Sequence, residues 1–219
     1  MSKNKQQDQE YRHPIPRKQV LLLSCMDLRL LDDTVEFMNR LNLTNRYDQI
    51  VFAGAALGVL RLHSPPANAK VASSSSKWSD VFFHHLQVAI DVLGRKIKDI
   101  FILEHRDCGA YQHFHPTHNK PYEEGEEALE EKHHREQAFL LAEAIRDYCR
   151  DQQERARKSL RKAKAEGNSA DQIKAENQLD AWADIKVRCF LMELDGEVKH
   201  LRKSKKKHNK SKSRTKRKK

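Results

Sequence analysis

Two short clusters of metal-ligating and charged residues lie about 80 residues apart in this sequence. The first cluster places Cys25, Asp27 and Arg29 at alternate positions, and the second contains His105 and Cys108. Thiolate sulfur and imidazole nitrogen are ligands that zinc prefers in proteins. Two thiolates and one imidazole would leave one tetrahedral position open, as catalytic zinc sites do. The sequence therefore predicts a zinc centre at Cys25, His105 and Cys108.

The open position decides the chemistry that such a centre would perform. Zinc lowers the pKa of a bound water molecule towards ~7, so a zinc-bound hydroxide is available as a nucleophile near neutral pH. Asp27 is close enough to Cys25 in sequence either to occupy the fourth position or to accept a hydrogen bond from the bound water. A bidentate pair with Arg29 would hold the carboxylate away from the metal. The alternative is that Cys25 and Cys108 are two buried thiols without a metal, because cysteine is often a small core residue.

Each cluster follows an apolar run that is typical of a buried strand. We predict four strands, at Gln19–Ser24, Tyr47–Ala53, Ile97–Leu103 and Ile185–Glu193. Helices between the first three strands give a β-α-β-α-β order, which predicts a parallel sheet with right-handed crossovers. The carboxyl ends of its strands meet at one edge, where open α/β sheets build their sites. The predicted fold is α/β, with a mostly parallel sheet of four or five strands and helices on both faces.

The helices are predicted from apolar spacing and capping residues. A helix from Asp32 or Asp33 to about Leu41 would bury Val35, Met38 and Leu41, and another follows from Trp78 to Leu93. A long helical segment runs from Glu123 to about Glu166, and its charged part, Asp151–Lys164, is interpreted as a solvated face. A last helix extends from Ser169 to Trp182.

The basic charge of the chain is concentrated at one end. The net charge is +11, yet Lys199–Lys219 alone contains 13 Lys and Arg and no acidic residue, and subtracting these leaves −2 for the remainder. We therefore predict a polar N-terminal arm at 1–18, a zinc domain at 19–198 and a basic tail at 199–219. The tail either binds a polyanion, without sequence preference because it has no aromatic residue for base stacking, or is a disordered solubilising segment.

The expected cellular compartment follows from the lack of a visible secretory signal or transmembrane segment in the sequence. The N-terminus is polar through Lys18, and no apolar run approaches the ~18 residues that a transmembrane helix needs. Four cysteines are present, at positions 25, 108, 149 and 189. We expect a cytoplasmic protein, where thiols serve as ligands more readily than they form disulfides.

The pattern Cys-x-Asp-x-Arg followed by His-x-x-Cys-Gly resembles the β-class carbonic anhydrases. The likeness runs from about Gln19 to Leu201 and includes Ala53-Gly54 and the turn Asp195-Gly196-Glu197. It implies a β-carbonic anhydrase-like fold and reversible hydration of carbon dioxide to bicarbonate, in a homodimer or an assembly of dimers. It also implies the site residues: Cys25, His105 and Cys108 as zinc ligands, and Asp27 with Arg29 as the catalytic dyad.

Three features depart from the usual pattern of that family. Phe52 precedes Ala53, and Ala55 follows Gly54, where the family usually has Arg-Asn before the Ala-Gly pair and Asn after it. Glu104 stands where a glycine usually precedes the ligand histidine, and the N-terminal arm is polar where many members have a helical one. Related proteins on this fold hydrolyse carbonyl sulfide or carbon disulfide, which makes these reactions alternatives. Another alternative is a non-catalytic zinc-binding scaffold whose tail recruits a polyanion.

Several polar residues near the two clusters are not predicted to be ligands of the zinc. The segment His113–His118 is typical of a solvated loop, with a second metal site or a proton relay as the alternatives. His133 and His134 are placed on the surface of their helix. Glu104 is expected to accept a hydrogen bond from a metal ligand or to pair with Arg106.

Overall fold

A computed structural model describes residues 19–61 and 78–202 of the chain. The described part contains five strands: β1 (Gln19–Ser24), β2 (Tyr47–Val51), β3 (Ile97–His105), β4 (Lys186–Met192) and β5 (Val198–His200). They form one sheet in the order β2-β1-β3-β4-β5. The first four strands pair in parallel, and β5 is antiparallel to β4. The predicted α/β fold with a mostly parallel sheet is confirmed.

Six α-helices lie in the same described ranges: α1 (Leu31–Arg40), α2 (Ala55–Arg61), α3 (Trp78–Gln87), α4 (Gly109–Phe114), α5 (Glu127–Ala165) and α6 (Ser169–Trp182). A 3₁₀ turn, Leu28–Leu30, leads into α1, and a π-helical turn, Val88–Val92, follows α3. Short α4 begins immediately after the second cluster of the sequence, so the helix start sets the direction in which Cys108 points.

Alternate side chains of β1 face opposite sides of the sheet and join two separate cores. Leu21 and Leu23 belong to the larger core, which also contains buried residues from four helices, among them Ala56, Phe82, Ile145 and Trp182. Val20 and Leu22 belong to the smaller core, which α1 covers through Phe37 and Met38. Helices therefore lie on both faces of the sheet, as predicted. In the described part of the chain, α1 is the helix that contributes to the smaller core, and the larger core contains residues of α2, α3, α5 and α6.

The buried face of α1 differs from the predicted one. Val35 and Leu41 are 41% and 44% exposed, whereas Phe37 is 7% exposed and Met38 is fully buried. The ring of Phe37 packs against those of Phe101 and Phe190, with centroids 6.5 and 5.2 Å away. The helix is thus rotated so that its aromatic residue meets the aromatic side chains of β3 and β4. The free energy gained by burying apolar surface scales with its area, so burial of the Phe37 ring favours this rotation over burial of Val35 and Leu41.

The charged second half of α5 is not wholly a solvated face. Its residues Gln152, Ala156 and Ala163 are buried where α5 packs against α6. The side chain of Gln153 donates to the carbonyl of Trp182, the last residue of α6. The two helices therefore form an antiparallel hairpin, and small residues at the contact let them approach closely.

The sheet extends into the predicted basic tail at 199–219. His200 pairs with Phe190 across β4 and β5, and Leu201 is only 2% exposed in the larger core. Lys199 forms ion pairs of 2.8 Å with both Glu131 and Glu193. The predicted arm at 1–18 lies outside the described residues, as do residues 203–219. Residues 62–77, whose Pro65-Pro66 pair and Ser73–Ser76 run predict a loop, lie outside them too. Within the described ranges, no helix combines the length and apolar character that a membrane crossing requires.

Candidate metal centre

Three potential metal ligands converge at the carboxyl edge of the sheet. Cys25 follows β1, His105 is the last residue of β3, and Cys108 is the N-cap residue of α4. Because β1 and β3 are paired in parallel, their ends lie side by side. The two sulfur atoms are 3.9 Å apart, and one ligand atom from each residue lies within 4.8 Å of the others. This cluster could bind a metal ion, while its role as a zinc site stays a prediction.

The ring of His105 is held so that one nitrogen is available. Its Nδ1 lies 2.8 Å from the carbonyl oxygen of Arg106, which places the proton on Nδ1 as the donor of this hydrogen bond. Its Nε2 is buried and has no hydrogen-bond partner among the described residues. A buried nitrogen lone pair without a donor beside two thiols is what a soft divalent cation requires, and the backbone carbonyl supplies the outer hydrogen bond typical of a ligating histidine. The donor set fits zinc.

The two thiols share a hydrogen bond that makes them unequal. The hydrogen bond from Cys108 lowers the pKa of Cys25 despite its partial burial, and the backbone N–H of Gly54 adds to this lowering. The same bond to Cys25, together with burial, raises the pKa of Cys108 well above its usual value. The shared hydrogen bond therefore favours ionisation of Cys25 and disfavours ionisation of Cys108, and burial opposes a charge on either thiol. A bound cation would remove this penalty and favour ionisation of both thiols.

Asp27 and Arg29 form the bidentate pair that the sequence suggested. Nε of Arg29 donates to Oδ1 of Asp27 at 3.0 Å, and its second terminal nitrogen donates to Oδ2 at 2.7 Å. The backbone N–H of Arg29 also donates to Oδ1, at 3.0 Å, because Asp27 caps the 3₁₀ turn. Hydrogen bonding from Arg29 lowers the pKa of Asp27 to about 2, so the carboxylate is ionised at neutral pH. Its Oδ2 lies 3.9 Å from Nε2 of His105.

A second carboxylate also holds Arg29. Asp107 accepts from Arg29 through its side chain at 2.8 Å and through its backbone carbonyl at 3.0 Å. The backbone N–H of Asp107 in turn donates to Oε1 of Glu130 at 2.6 Å. Sequence reasoning missed Asp107, although it stands between the two ligands of the second cluster. It missed Glu130 because that residue lies on α5, outside any motif.

The expectation for Glu104 is wrong. Its carboxylate is 1% exposed and accepts hydrogen bonds of 3.0 Å from the backbone N–H of Ala56 and from Nδ1 of His134. Arg106 pairs instead with Glu130 and with a carboxylate after β4. Arg106 follows β3, which ends at His105, so strand alternation does not fix its direction relative to Glu104, and the two side chains have separate partners.

Two of the three histidines of the segment His113–His118 are buried, as are both neighbouring histidines of α5, contrary to prediction, whereas His113 is exposed. His115 and His118 are 4% and 8% exposed, and His133 and His134 are 5% and 0% exposed. The rings of His115 and His133 stack with centroids 4.1 Å apart, and His118 stacks on Tyr122 at 4.2 Å. The segment folds back onto α5, which neither a polar composition nor a proline reveals. In residues 19–61 and 78–202, only Cys25, His105 and Cys108 have the mutual ligand spacing given above.

The space beside the candidate ligands is very small. A cavity of about 10 Å³ is lined by Ser24, Cys25, Asp27, Leu30, Thr34, Leu103, His105 and Met192. This is about the volume that one water molecule needs. Three of the eight lining side chains, Leu30, Leu103 and Met192, form an apolar wall, and the other five carry polar or ionisable groups.

Comparison with known proteins identifies two partial relatives by sequence. No protein-family model matches the chain. An uncharacterized protein of Rickettsia bellii is 33% identical over 92 residues, which cover 42% of this chain and 48% of that protein. An uncharacterized protein of Rickettsia conorii is 29% identical over 92 residues, which cover 42% of each. The match spans less than half the length of either relative.

Two solved structures are similar in architecture. The β-carbonic anhydrase CafA of Aspergillus fumigatus has a TM-score of 0.38 and 15% sequence identity, over 86% of this chain and 77% of that one. One of two tetrameric β-carbonic anhydrases from Sordaria macrospora has a TM-score of 0.36 and 16% identity, over 84% of this chain and 80% of that one. These similarities are low, and nothing about activity follows from them.

Proposed function

We propose that this protein is a zinc-dependent lyase that reversibly hydrates carbon dioxide to bicarbonate. One observation carries the proposal: two thiols and an available imidazole nitrogen converge beside an ionised Asp27–Arg29 pair and a cavity with room for one very small molecule. Cys25, His105 and Cys108 would hold the zinc. The ion would supply a water molecule whose pKa is lowered towards neutrality.

The residues of the chain have distinct tasks in this reaction. Asp27 is the hydrogen-bond acceptor that orients the attacking water; with a pKa of about 2 it does not act as a proton donor at neutral pH. Arg29 fixes the direction of that carboxylate through two parallel hydrogen bonds. Leu30, Leu103 and Met192 provide an apolar wall for the linear substrate. Water and carbon dioxide give bicarbonate and one proton, which leaves to solvent.

The proposed assembly is a homodimer or a set of dimers. Three apolar side chains beside the site are unusually exposed: Met26 by 68%, Leu28 by 87% and Leu31 by 61%. A second copy packed against them would remove apolar area from water. The proposed substrate and product are carbon dioxide and bicarbonate.

The first test is the metal content of the purified protein. Elemental analysis after expression in zinc-replete medium should give about one zinc ion per chain, with zinc lost in Cys25→Ser and in Cys108→Ser because each removes one of three protein ligands. Cys149→Ser is the matched control, since Cys149 is also buried but lies in the helical core. Wild-type protein without zinc would remove the proposal.

The second test identifies the substrate. Zinc-loaded protein should hydrate carbon dioxide faster than it hydrolyses carbonyl sulfide or carbon disulfide, measured in parallel by proton and sulfide release. Preference for a sulfur substrate would reassign the reaction on the same site. Zinc binding without any of the three activities would favour the non-catalytic scaffold.

A further inference from the structure

We propose that Glu104, His134 and Glu130 form one buried triad that positions both sides of the metal centre. Through Glu104 it fixes the backbone donor that contacts Cys25, and through Glu130 it fixes the residue that holds Arg29. The inference rests on the proposed function for the roles of Cys25 and Arg29. The three members are positioning residues, because among their described contacts none touches the candidate ligand atoms.

The first arm begins at Glu104 and ends at Cys25. Oε1 of Glu104 accepts from the backbone N–H of Ala56 at 3.0 Å, and the N–H of Gly54, two residues earlier, donates to Sγ of Cys25 at 3.2 Å. The turn between them is an uncommon one, because Gly54 has φ +71° and Ala55 has φ +42°. L-residues adopt positive φ less readily than glycine. A buried acceptor for Ala56 stabilises the turn in the conformation that points the Gly54 N–H at the sulfur.

The turn has little freedom to take another shape. A Cβ atom added at Gly54 would lie 2.8 Å from Cβ of Ala110, so the turn packs directly against α4. Ala55, Ala56 and Leu57 are completely buried. Loss of the Glu104 carboxylate would leave the Ala56 N–H buried without this partner.

The second arm begins at Glu130 and ends at Arg29. Oε1 of Glu130 accepts from the N–H of Asp107 at 2.6 Å, and Asp107 also has a positive φ, +52°. Asp107 then holds Arg29 by its carboxylate and its carbonyl, at 2.8 and 3.0 Å. Gln112 donates to the other carboxylate oxygen of Asp107 at 2.6 Å. Arg29 is thus aimed at Asp27 by a residue whose own backbone is held from α5.

His134 lies between the two carboxylates and contacts both. Its Nδ1 is 3.0 Å from Oε2 of Glu104, a hydrogen bond, whereas its Nε2 is 3.8 Å from Oε1 of Glu130, an ion-pair distance, and has no hydrogen-bond partner among the described residues. The side chain is fully buried, and its ring lies 3.7 Å, between centroids, from the ring of Tyr111. A buried carboxylate requires a hydrogen-bond donor, and His134 is the side chain that donates to Glu104. One helix, α5, therefore carries the residues that hold both arms.

Arg106 shares the charge of the second arm without entering the first. It contacts Glu130 at 3.1 Å and also Glu131 and Glu193. Burial raises the pKa of Glu130, but His134, the Asp107 N–H and Arg106 outweigh it, so the net pKa lies below its ordinary value. Glu130 is therefore an ionised acceptor at neutral pH. Glu131, one residue along α5, contacts Arg106 and Lys199 and reaches neither arm in the described contacts.

The test separates the two arms with Glu104→Ala and Glu130→Ala, and Glu131→Ala is the matched control. Glu104→Ala should weaken zinc binding about 10- to 100-fold in competition with a chelator, the range found for residues that support metal ligands. Glu130→Ala should keep zinc affinity within a few-fold. This substitution releases Asp107 and Arg29, so that Asp27 becomes free to reach the metal. The kcat for carbon dioxide hydration should therefore fall by about 10-fold or more, with little change in KM.

A spectroscopic readout follows the second arm without catalysis. In Co²⁺-loaded wild-type protein, added azide should change the visible spectrum, since one position on the metal is open to it. Glu130→Ala should reduce this response because Asp27 competes for that position. His134→Leu should show both defects, weaker zinc binding and a smaller azide response, while Glu131→Ala shows neither. Glu130→Gln retains an acceptor for the Asp107 N–H and should recover most of the response.

Three results would overturn the triad. The first is a Glu104→Ala or Glu130→Ala protein that matches Glu131→Ala in both zinc affinity and azide response. The second is a loss of both zinc affinity and azide response that follows the loss of thermal stability in every variant, which would mean that the three residues only stabilise the fold. If the alanine variants do not fold, the third is the same lack of separation in Glu104→Leu and Glu130→Leu, which remove the acceptors but keep most of the side-chain volume. Wild-type protein that binds azide normally but lacks hydration activity would contradict the proposed function and leave the triad intact.

Discussion

At the residue scale, Arg29 is the side chain whose contacts most constrain the proposed chemistry. It donates to Asp27 from one side and to Asp107 from the other, and the side chain of Arg29 is itself 44% exposed. An exposed ion pair contributes little to stability. The Arg29–Asp27 pair instead restricts the position of the Asp27 carboxylate, whose Oδ2 is 3.9 Å from Nε2 of His105.

Replacement of Arg29 by alanine tests that control. The freed Asp27 should reach the metal, so zinc should stay bound at wild-type stoichiometry while hydration activity falls about 100-fold or more, an effect of the order seen when a preorganised polar group is lost. X-ray absorption on the zinc protein should detect a coordinated carboxylate. Asp27→Ala is the matched control, because it removes the orienting acceptor but adds no ligand and should retain more activity. Near wild-type turnover in Arg29→Ala would contradict the gating role.

The convergence of the three candidate ligands could be predicted from sequence, whereas the residues that support them could not. Cys25, His105 and Cys108 lie at or just after the ends of strands with clear apolar runs, and parallel pairing brings strand ends together. Glu130 and His134 belong to a helix more than 20 residues downstream, and their burial depends on how α5 docks beside α4. No local spacing encodes that docking. Local patterns record which residues share a face, and they do not record which face a distant helix will cover.

At the scale of elements, the segment between α4 and α5 shows how far a polar sequence can be buried. His115, His118 and Tyr122 pack against His133 of α5, and the hydroxyl of Tyr122 lies 2.9 Å from Nδ1 of His133. Aromatic stacking and this hydrogen bond hold these side chains against α5, although their composition is typical of a loop in water. Burial, followed by the proximity of His118, lowers the pKa of His133.

The lowered pKa predicts a specific pH dependence of stability. In the unfolded chain a histidine titrates near ~6.5, whereas folded His133 resists protonation, so the unfolded state binds more protons as the pH falls below that value. The free energy of unfolding should therefore decrease from pH 7 to pH 5, with at most about 1.4 kcal/mol per pH unit from this one group. His133→Phe should reduce the slope, measured by urea unfolding at several pH values, while exposed His84→Gln should not. Equal slopes in wild type and His133→Phe would contradict the assignment.

At the scale of the whole molecule, the sheet ends later than the charge pattern suggested. The charge pattern predicts a boundary between the folded domain and the tail after Val198, because Lys199–Lys219 contains no acidic residue. In the structure, Leu201 N–H donates to the carbonyl of Cys189 at 2.8 Å, and Lys199 joins two acidic side chains. A basic composition thus conceals a short edge strand, because a three-residue strand has too few side chains to show an alternating pattern.

Two truncations distinguish the strand from the basic residues beyond it. A chain ending at Arg202 lacks residues 203–219, which carry 11 Lys and Arg; it should lose retention on heparin at moderate salt but keep its zinc and its unfolding free energy. A chain ending at Val198 also loses β5 and the side chain of Leu201, which is 2% exposed. Burial of one leucine contributes about 1.5–3 kcal/mol, so this protein should unfold at clearly lower urea concentration.

Heparin retention that survives the shorter deletion would locate the basic surface on the folded domain, for example on the exposed face of α5. Equal stability of the two truncated chains would mean that β5 and Leu201 contribute little to the larger core.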